Sequence, residues 1–283
     1  MRQLTRPCPL CHADSQQIWE GPRSAYVCSG CRAGWIAQTT PGAAEAGNEA
    51  GARWSDAYYE QNYRPRAGAL IDYFRSQIDA LSLDATRGHW LDVGCGCGYF
   101  AAAALERGWR VTGIDPSPAA LRMAASVAPE AELLCGTAES LPAEARYDVI
   151  SFWDSAGHIP DLGAELPRYL ERLAPGGKLI VKTPHRPARL LHTAQALLNW
   201  RPALRDDLVY ARITHWHFTP RSLGYTLERH GLTVLGHHWE REVPDPPRAL
   251  DLSPKAIMRE LAERALRLSA GPYSSFVLMA HKS

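Results

Sequence analysis

LDVGCGCGYF, residues 91–100, carries the reading of this chain outward from its middle. Glycines alternate at Gly94, Gly96 and Gly98, and a carboxylate, Asp92, stands two residues before the first. Ahead of them GHWL reads as a short buried strand, and behind them FAAAALERG reads as a helix. A strand that turns through glycines into a helix lets backbone N–H groups approach a ligand that a Cβ atom would hold off. The acid at the strand end separates this loop from a plain phosphate cradle, because a ligand bearing an ammonium beside a carboxylate could use both the acid and the N–H groups. The loop alone leaves a second reading open: Gly96-x-Gly98-x-x-Ala101 also fits a dinucleotide pattern, with Asp115 at the distance of a ribose-binding acid.

Around this loop, strands and helices alternate. WRVTGID (109–115) reads as a strand and SPAALRMAASVA (117–128) as a helix, with Ser117 placed to cap it and Pro118 suited to its first turn. AELLC, YDVISFW (147–153) and KLIVKTP read as further strands, the last entered through a Pro175-Gly176-Gly177 turn after the helix DLGAELPRYLERLA. This rhythm predicts a doubly wound, Rossmann-like α/β fold with a parallel sheet covered by helices on both faces. WSDAYYEQNY and AGALIDYFRSQIDAL precede it as two helices, the second with an apolar stripe at Leu70, Ile71, Phe74, Ile78 and Leu81. After it come the helix TPRSLGYTLERHG, the strands TVLGHHWE and SSFVLMAHK, and between these an amphipathic helix, SPKAIMRELAERALRLSA. Three segments follow from this reading: a cysteine-bearing unit at 1–40, a Gly/Ala-rich linker at 41–53, and a large domain at 54–283 with an apolar, basic, lid-like insertion at 184–213.

Composition excludes some functions. Lys plus Arg is 31 and Asp plus Glu 30, a formal charge of +1, so no excess of positive charge points to nucleic acid. Residues 1–40 contain four basic and two acidic side chains, too few for a clear phosphate-binding face. No export signal or spanning run is evident, and seven cysteines without one suit a reducing compartment; cytoplasm and no membrane contact are the expectations.

These pieces together resemble the class I S-adenosylmethionine-dependent methyltransferases, in particular a bacterial group with a cysteine-rich N-terminal knuckle. LDVGCGCG is similar to the family's first motif, GTAESLP (136–142) to its adenine-side loop, and LAPGGKLIVKTP to its later turn and fifth strand. HWHFTPRSLGYTLERHGL (215–232) is similar to a late family segment. The resemblance implies S-adenosylmethionine as cofactor, bound by Asp92, Gly94, Gly96, Gly98, Asp115, Thr137, Ala138 and Trp153. The chain departs from the family pattern at Thr137, where an aspartate is common, and at Gly157, where a glutamate often precedes the histidine. The dinucleotide reading leaves Gly94, Asp92 and the later motifs without a role.

Cys8-x-x-Cys11 and Cys28-x-x-Cys31 are two knuckles sixteen residues apart, a spacing that presents four thiolates tetrahedrally and suits a structural Zn²⁺. A unit of about forty residues builds too small a core alone, so a metal would supply much of its folding free energy. CPLCH also matches a haem-attachment pattern, which would leave the second knuckle idle.

Methyl transfer is an in-line displacement, in which a base helps only if the acceptor must lose a proton. His158, after the fourth strand, and His185, after the fifth, are the candidate catalytic groups, and His215 and His217 the candidates for lining the acceptor pocket. Each is equally readable as an ordinary loop histidine. The favoured function is methylation of an oxygen, nitrogen or carbon on a small molecule, such as a sugar or secondary-metabolite intermediate. An RNA methyltransferase presenting its substrate on the zinc unit, and a catalytically silent partner-binding protein, are the competing readings.

Overall fold

The computed structural model describes residues 5–19, 23–38, 55–83, 88–185, 215–240 and 275–282. The expected linker at 41–53, the insertion beyond residue 185 and the amphipathic helix near 253–270 lie outside the described residues.

Four short antiparallel strands come first: β1 (Thr5–Pro7), β2 (Asp14–Trp19), β3 (Arg23–Cys28) and β4 (Gly34–Gln38). Helix α1 (Asp56–Asn62) starts at Ser55, whose hydroxyl accepts from the Tyr58 N–H, and α2 (Ala67–Leu81) follows it. The alternating region then gives β5 (His89–Val93), α3 (Tyr99–Leu105), β6 (Arg110–Asp115), α4 (Pro118–Val127), β7 (Glu132–Cys135), β8 (Tyr147–Trp153), α5 (Leu162–Glu171) and β9 (Leu173–Pro184). The chain closes with β10 (Trp216–His217), α6 (Pro220–Arg229), β11 (Leu232–Glu240) and β12 (Ser275–Lys282). Ser117 caps α4 and Thr219 caps α6, each with a proline in the first turn, as the sequence reading expects.

The large sheet has the order β11-β12-β9-β8-β5-β6-β7. Strands β5 to β9 are parallel, but β12 lies antiparallel between β9 and β11, so the sheet is mixed rather than wholly parallel. The alternating rhythm ends at β9, and an antiparallel neighbour needs no right-handed helical crossover. A second correction concerns Pro175-Gly176-Gly177. Strand β9 runs through it: Leu173 pairs with Tyr147, the register shifts, and the ladder resumes at Lys178 opposite Val149.

Alternation along each strand divides the core between the two faces. Trp90, Val111, Val149, Ile180 and Val277 pack with Phe100 and Ile78 on one face, where Ile71, Phe74 and Leu81 extend the α2 stripe. Leu91, Ile150, Phe152, Leu179 and Val181 pack on the other, with Leu166 of α5 and Leu223 of α6. Among the described residues, no helix is long and apolar enough to cross a membrane.

The small sheet has five strands, in the order β1-β2-β3-β4-β10, so its edge comes from residues 216–217. Tyr26 and Trp35 stack at 4.6 Å in it, and Trp35 Nε1 donates to Ser15 Oγ at 3.1 Å. It abuts α5 closely: a Cβ built on Gly163 lies 2.4 Å from the Pro9 carbonyl oxygen. Gly163→Ala is therefore expected to destabilise the protein by about 1–3 kcal/mol, read as a lowered midpoint in thermal unfolding. An unchanged midpoint would contradict this close approach.

Candidate functional site

The strand order reverses between β5 and β8, and in open α/β sheets ligands bind at such a reversal, beyond the carboxyl ends of the strands. The glycine loop leaves β5 at this point. Gly94 has φ of 72°, and a Cβ built on it lies 2.4 Å from Ser155 Cβ, in the turn after β8. Gly96 has φ of 52°, and a Cβ built on it meets no atom within 4 Å, which marks the open side of the loop. Ser155 reinforces the closure by donating its hydroxyl to the Val93 carbonyl.

Four of the loop's amides find partners within the protein. The Gly94 and Cys95 amides donate to the Ile114 carbonyl at 2.7 and 3.1 Å, Gly96 donates to Asp115 Oδ2 at 3.0 Å, and Gly98 donates to the Cys95 carbonyl at 3.0 Å. A strand end buried beside β6 must satisfy its amides locally, and these four do so.

Asp92 is 2 % exposed, and its Oδ1 accepts from Ser151 Oγ at 2.9 Å, which in turn accepts from Trp90 Nε1 at 2.9 Å. Burial pushes its carboxyl up to about 7 against the opposing Ser151 hydrogen bond, and the nearby Asp115 adds to the rise. Asp115 closes β6 one strand away; its Oδ1 accepts from the Ser117 N–H at 2.8 Å and its Oδ2 from Gly96. Burial raises it too, opposed by those two backbone bonds. Each of its oxygens keeps a second lone pair for a ligand hydroxyl. Tyr59 Oη lies 3.4 Å from Ser117 Oγ, so α1 packs over this rim.

The remaining residues singled out in the sequence are placed as follows. Thr137 precedes a single turn of 3-10 helix (Ala138–Ser140) without capping it through its side chain, and Ala138 is buried. Trp153 packs edge-on to Phe74 at 5.5 Å and tilted on Phe100 at 5.4 Å, so core packing accounts for its ring. His158 is exposed at the end of the turn Ala156–His158 that follows β8. His185 sits at the end of β9, bridged to Phe218; burial lowers its pKa, and its Nδ1 is buried without a partner. His215 donates its amide to the Gly157 carbonyl at 2.8 Å. His217 is 4 % exposed and pairs with Gly34 in the small sheet. Cys95 and Cys97 are buried thiols, the latter pushed up to about 12 by burial, which suits packing rather than redox chemistry.

Sequence reasoning missed Ser151, a polar residue inside an apolar strand and the partner of Asp92. It also missed the ion pair of buried Lys182 with the half-exposed Asp154, whose left-handed φ of 59° follows β8 directly. A lysine in an otherwise apolar strand was the available signal.

The four knuckle cysteines are buried together, their sulfurs all within 4.8 Å of one another. Cys8 and Cys31 Sγ are 3.8 Å apart, and Cys11 and Cys28 Sγ 3.4 Å. Both knuckles turn through a left-handed residue after the second cysteine, His12 (φ 60°) and Arg32 (φ 65°).

A family model described as a methyltransferase domain matches residues 61–237. The chain belongs to this methyltransferase family. Its domain is of the class I, S-adenosylmethionine-dependent kind. Similar proteins include the ubiquinone biosynthesis O-methyltransferases of Nitrobacter winogradskyi, 32 % identical over 55 % of this chain and 61 % of that protein, and of Azorhizobium caulinodans, 34 % identical over 44 % and 53 %. The chain thus spans somewhat over half the length of these curated relatives. The fold is shared with magnesium protoporphyrin IX methyltransferase from Synechocystis, solved with S-adenosylhomocysteine (TM-score 0.52, 15 % identity, 75 % of this chain and 82 % of that one). It is also shared with a methyltransferase from Mesorhizobium loti (TM-score 0.51, 16 % identity, 73 % and 96 %). The methyltransferase motif and the buried acids coincide in this chain at β5 and β6.

The raised Asp92 gives a stability signature. Between its ordinary 3.8 and about 7 the folded state holds a proton that the unfolded state has lost, so stability falls as pH rises through that window. Asp92→Asn removes the linkage and is expected to flatten the pH dependence of urea unfolding between about pH 4 and 7. Superimposable slopes for parent and variant would contradict it.

Proposed function

We propose that the chain transfers a methyl group from S-adenosylmethionine to an oxygen of a small-molecule acceptor, and that its N-terminal unit holds a structural Zn²⁺. The observation that carries the first part is the pair of carboxylates, buried Asp92 and half-buried Asp115, closing adjacent parallel strands beside a glycine loop that is open at Gly96. A carboxylate with so high a pKa gains by meeting a cation, and the methionine portion of the cofactor carries one. Asp115, with spare lone pairs at the next strand end, suits the ribose hydroxyls, and the Thr137–Ala138 segment beyond β7 suits the adenine side. The cofactor supplies an electrophilic sulfonium methyl; the chain orients it and keeps water away.

On the acceptor side, His158 is the proposed base, exposed on the turn after β8 and next to the loop held by Ser155. Its imidazole would take the proton that an acceptor hydroxyl loses as the new O–CH₃ bond forms. His185, kept neutral by burial, is the second candidate at the same strand-end rim. Oxygen is preferred over nitrogen or carbon because the relatives are named O-methyltransferases of a small-molecule pathway. The particular acceptor, whether sugar, quinol precursor or other metabolite, is part of this proposal.

For the metal, the fit lies in the donor set. Four thiolates around Zn²⁺ at about 2.3 Å form a tetrahedron with edges of about 3.8 Å, and the two close Sγ pairs stand at 3.8 and 3.4 Å. Cys8, Cys11, Cys28 and Cys31 would fill every position, which assigns the ion to structure rather than catalysis.

Two measurements test these assignments. Asp115→Ala is expected to weaken S-adenosylhomocysteine binding at least about tenfold by calorimetry, since a charged hydrogen-bond acceptor is lost; unchanged affinity would remove Asp115 from the site. Metal analysis is expected to find about one zinc per chain, lost in Cys28→Ser while cofactor-product affinity is retained. A metal-free but folded parent would remove the zinc assignment.

A further inference from the structure

We infer that the small N-terminal sheet is a clasp on the acceptor side of the crevice, with Trp216 as the residue that positions the turn carrying His158. The functional meaning of that turn rests on the methyl-transfer reading; the clasp itself rests on contacts.

Residues 215–218 face two ways. On one side they complete the small sheet: Trp216 pairs with Trp35, His217 with Gly34, and the Ile36 amide donates to the His215 carbonyl at 2.9 Å. On the other side they grip the strand ends of the large sheet. The His215 amide donates to the Gly157 carbonyl at 2.8 Å, Trp216 Nε1 donates to the Ile159 carbonyl at 2.9 Å, and Phe218 bridges to His185 after β9. The two carbonyls gripped flank His158. Trp216 is 3 % exposed, with Trp35 at 6.4 Å and Phe218 at 6.3 Å, and Trp35 continues the stack to Tyr26.

The turn Ala156–His158 is thus pinned from two directions. Ser155 ties it back to Val93 and the glycine loop, and β10 ties it outward to β4. Strand β4 is in turn the second arm of a hairpin whose first arm, β3, ends at Cys28, with Cys31 in the connection. A hairpin this short is marginal alone, so whatever fixes the four thiols fixes β4, and β4 fixes β10. The acids of the cofactor side take their bonds from elsewhere: Asp92 from Ser151, Asp115 from Gly96 and Ser117. The N-terminal unit therefore governs the acceptor rim and leaves the cofactor acids alone. It does so as a brace, without touching substrate.

Hydrogen exchange on the full chain tests this, comparing peptides covering 34–38, 155–161 and 110–127 in the parent, Trp216→Phe and Cys28→Ser. Trp216→Phe keeps an aromatic ring in the stack and loses the indole N–H. It is expected to speed exchange in 155–161 by about tenfold, the effect of one lost buried hydrogen bond, while 110–127 and the calorimetric affinity for S-adenosylhomocysteine stay at parental values. Cys28→Ser is expected to loosen 34–38 and 155–161 together, again sparing 110–127. The clasp is overturned if 34–38 loosens while 155–161 keeps its protection, or if exchange rises equally in all three peptides, the mark of general destabilisation. A metal-free parent in which Cys28→Ser still loosens both peptides would sustain the clasp and remove the zinc. A parent that binds no S-adenosylhomocysteine yet shows the coupling would sustain the clasp and remove the methyl-donor reading.

Discussion

The carboxyl end of β5 is where the structure is most constrained. The chain must leave a buried parallel strand, satisfy its amides within a few residues, and avoid the turn after β8. It does so with left-handed glycines, and by handing the Gly94, Cys95 and Gly96 amides to the end of β6. This arrangement sets Asp92 and Asp115 at the carboxyl ends of adjacent parallel strands. Burying two carboxylates there costs stability, and the raised Asp92 is the trace of that cost.

A second dependence runs through β10. A strand of two residues has almost no stability of its own, yet it carries the hydrogen bonds that join the small sheet to the strand-end turns of the large one. The N-terminal unit and the large domain share an edge strand and, at Gly163 and Pro9, a backbone contact.

Much of this was legible in the sequence. The five parallel strands, the caps at Ser117 and Thr219, and the glycine turn into α3 follow from patterns within a dozen residues. The four cysteines were legible as a cluster because their spacing is itself the signal. The antiparallel position of β12 was not, because periodicity gives a strand without its direction. Glycines announce the turn, and only the neighbouring strand says which groups the Gly94, Cys95 and Gly96 amides meet. His215 and His217 were read as lining the acceptor pocket because they precede a helix; the short strand that Trp216 and His217 form was not foreseen. Their pairing with β4 spans nearly two hundred residues and leaves no local mark.

The central claim is that Asp92 is a cation-binding carboxylate held largely protonated until its ligand arrives. Calorimetry of S-adenosylhomocysteine binding at about pH 6, repeated in buffers of different ionisation enthalpy, counts the protons exchanged on binding. The account predicts net proton release by the parent, absent in Asp92→Asn. Binding with no proton release, or with equal release in the variant, would contradict it.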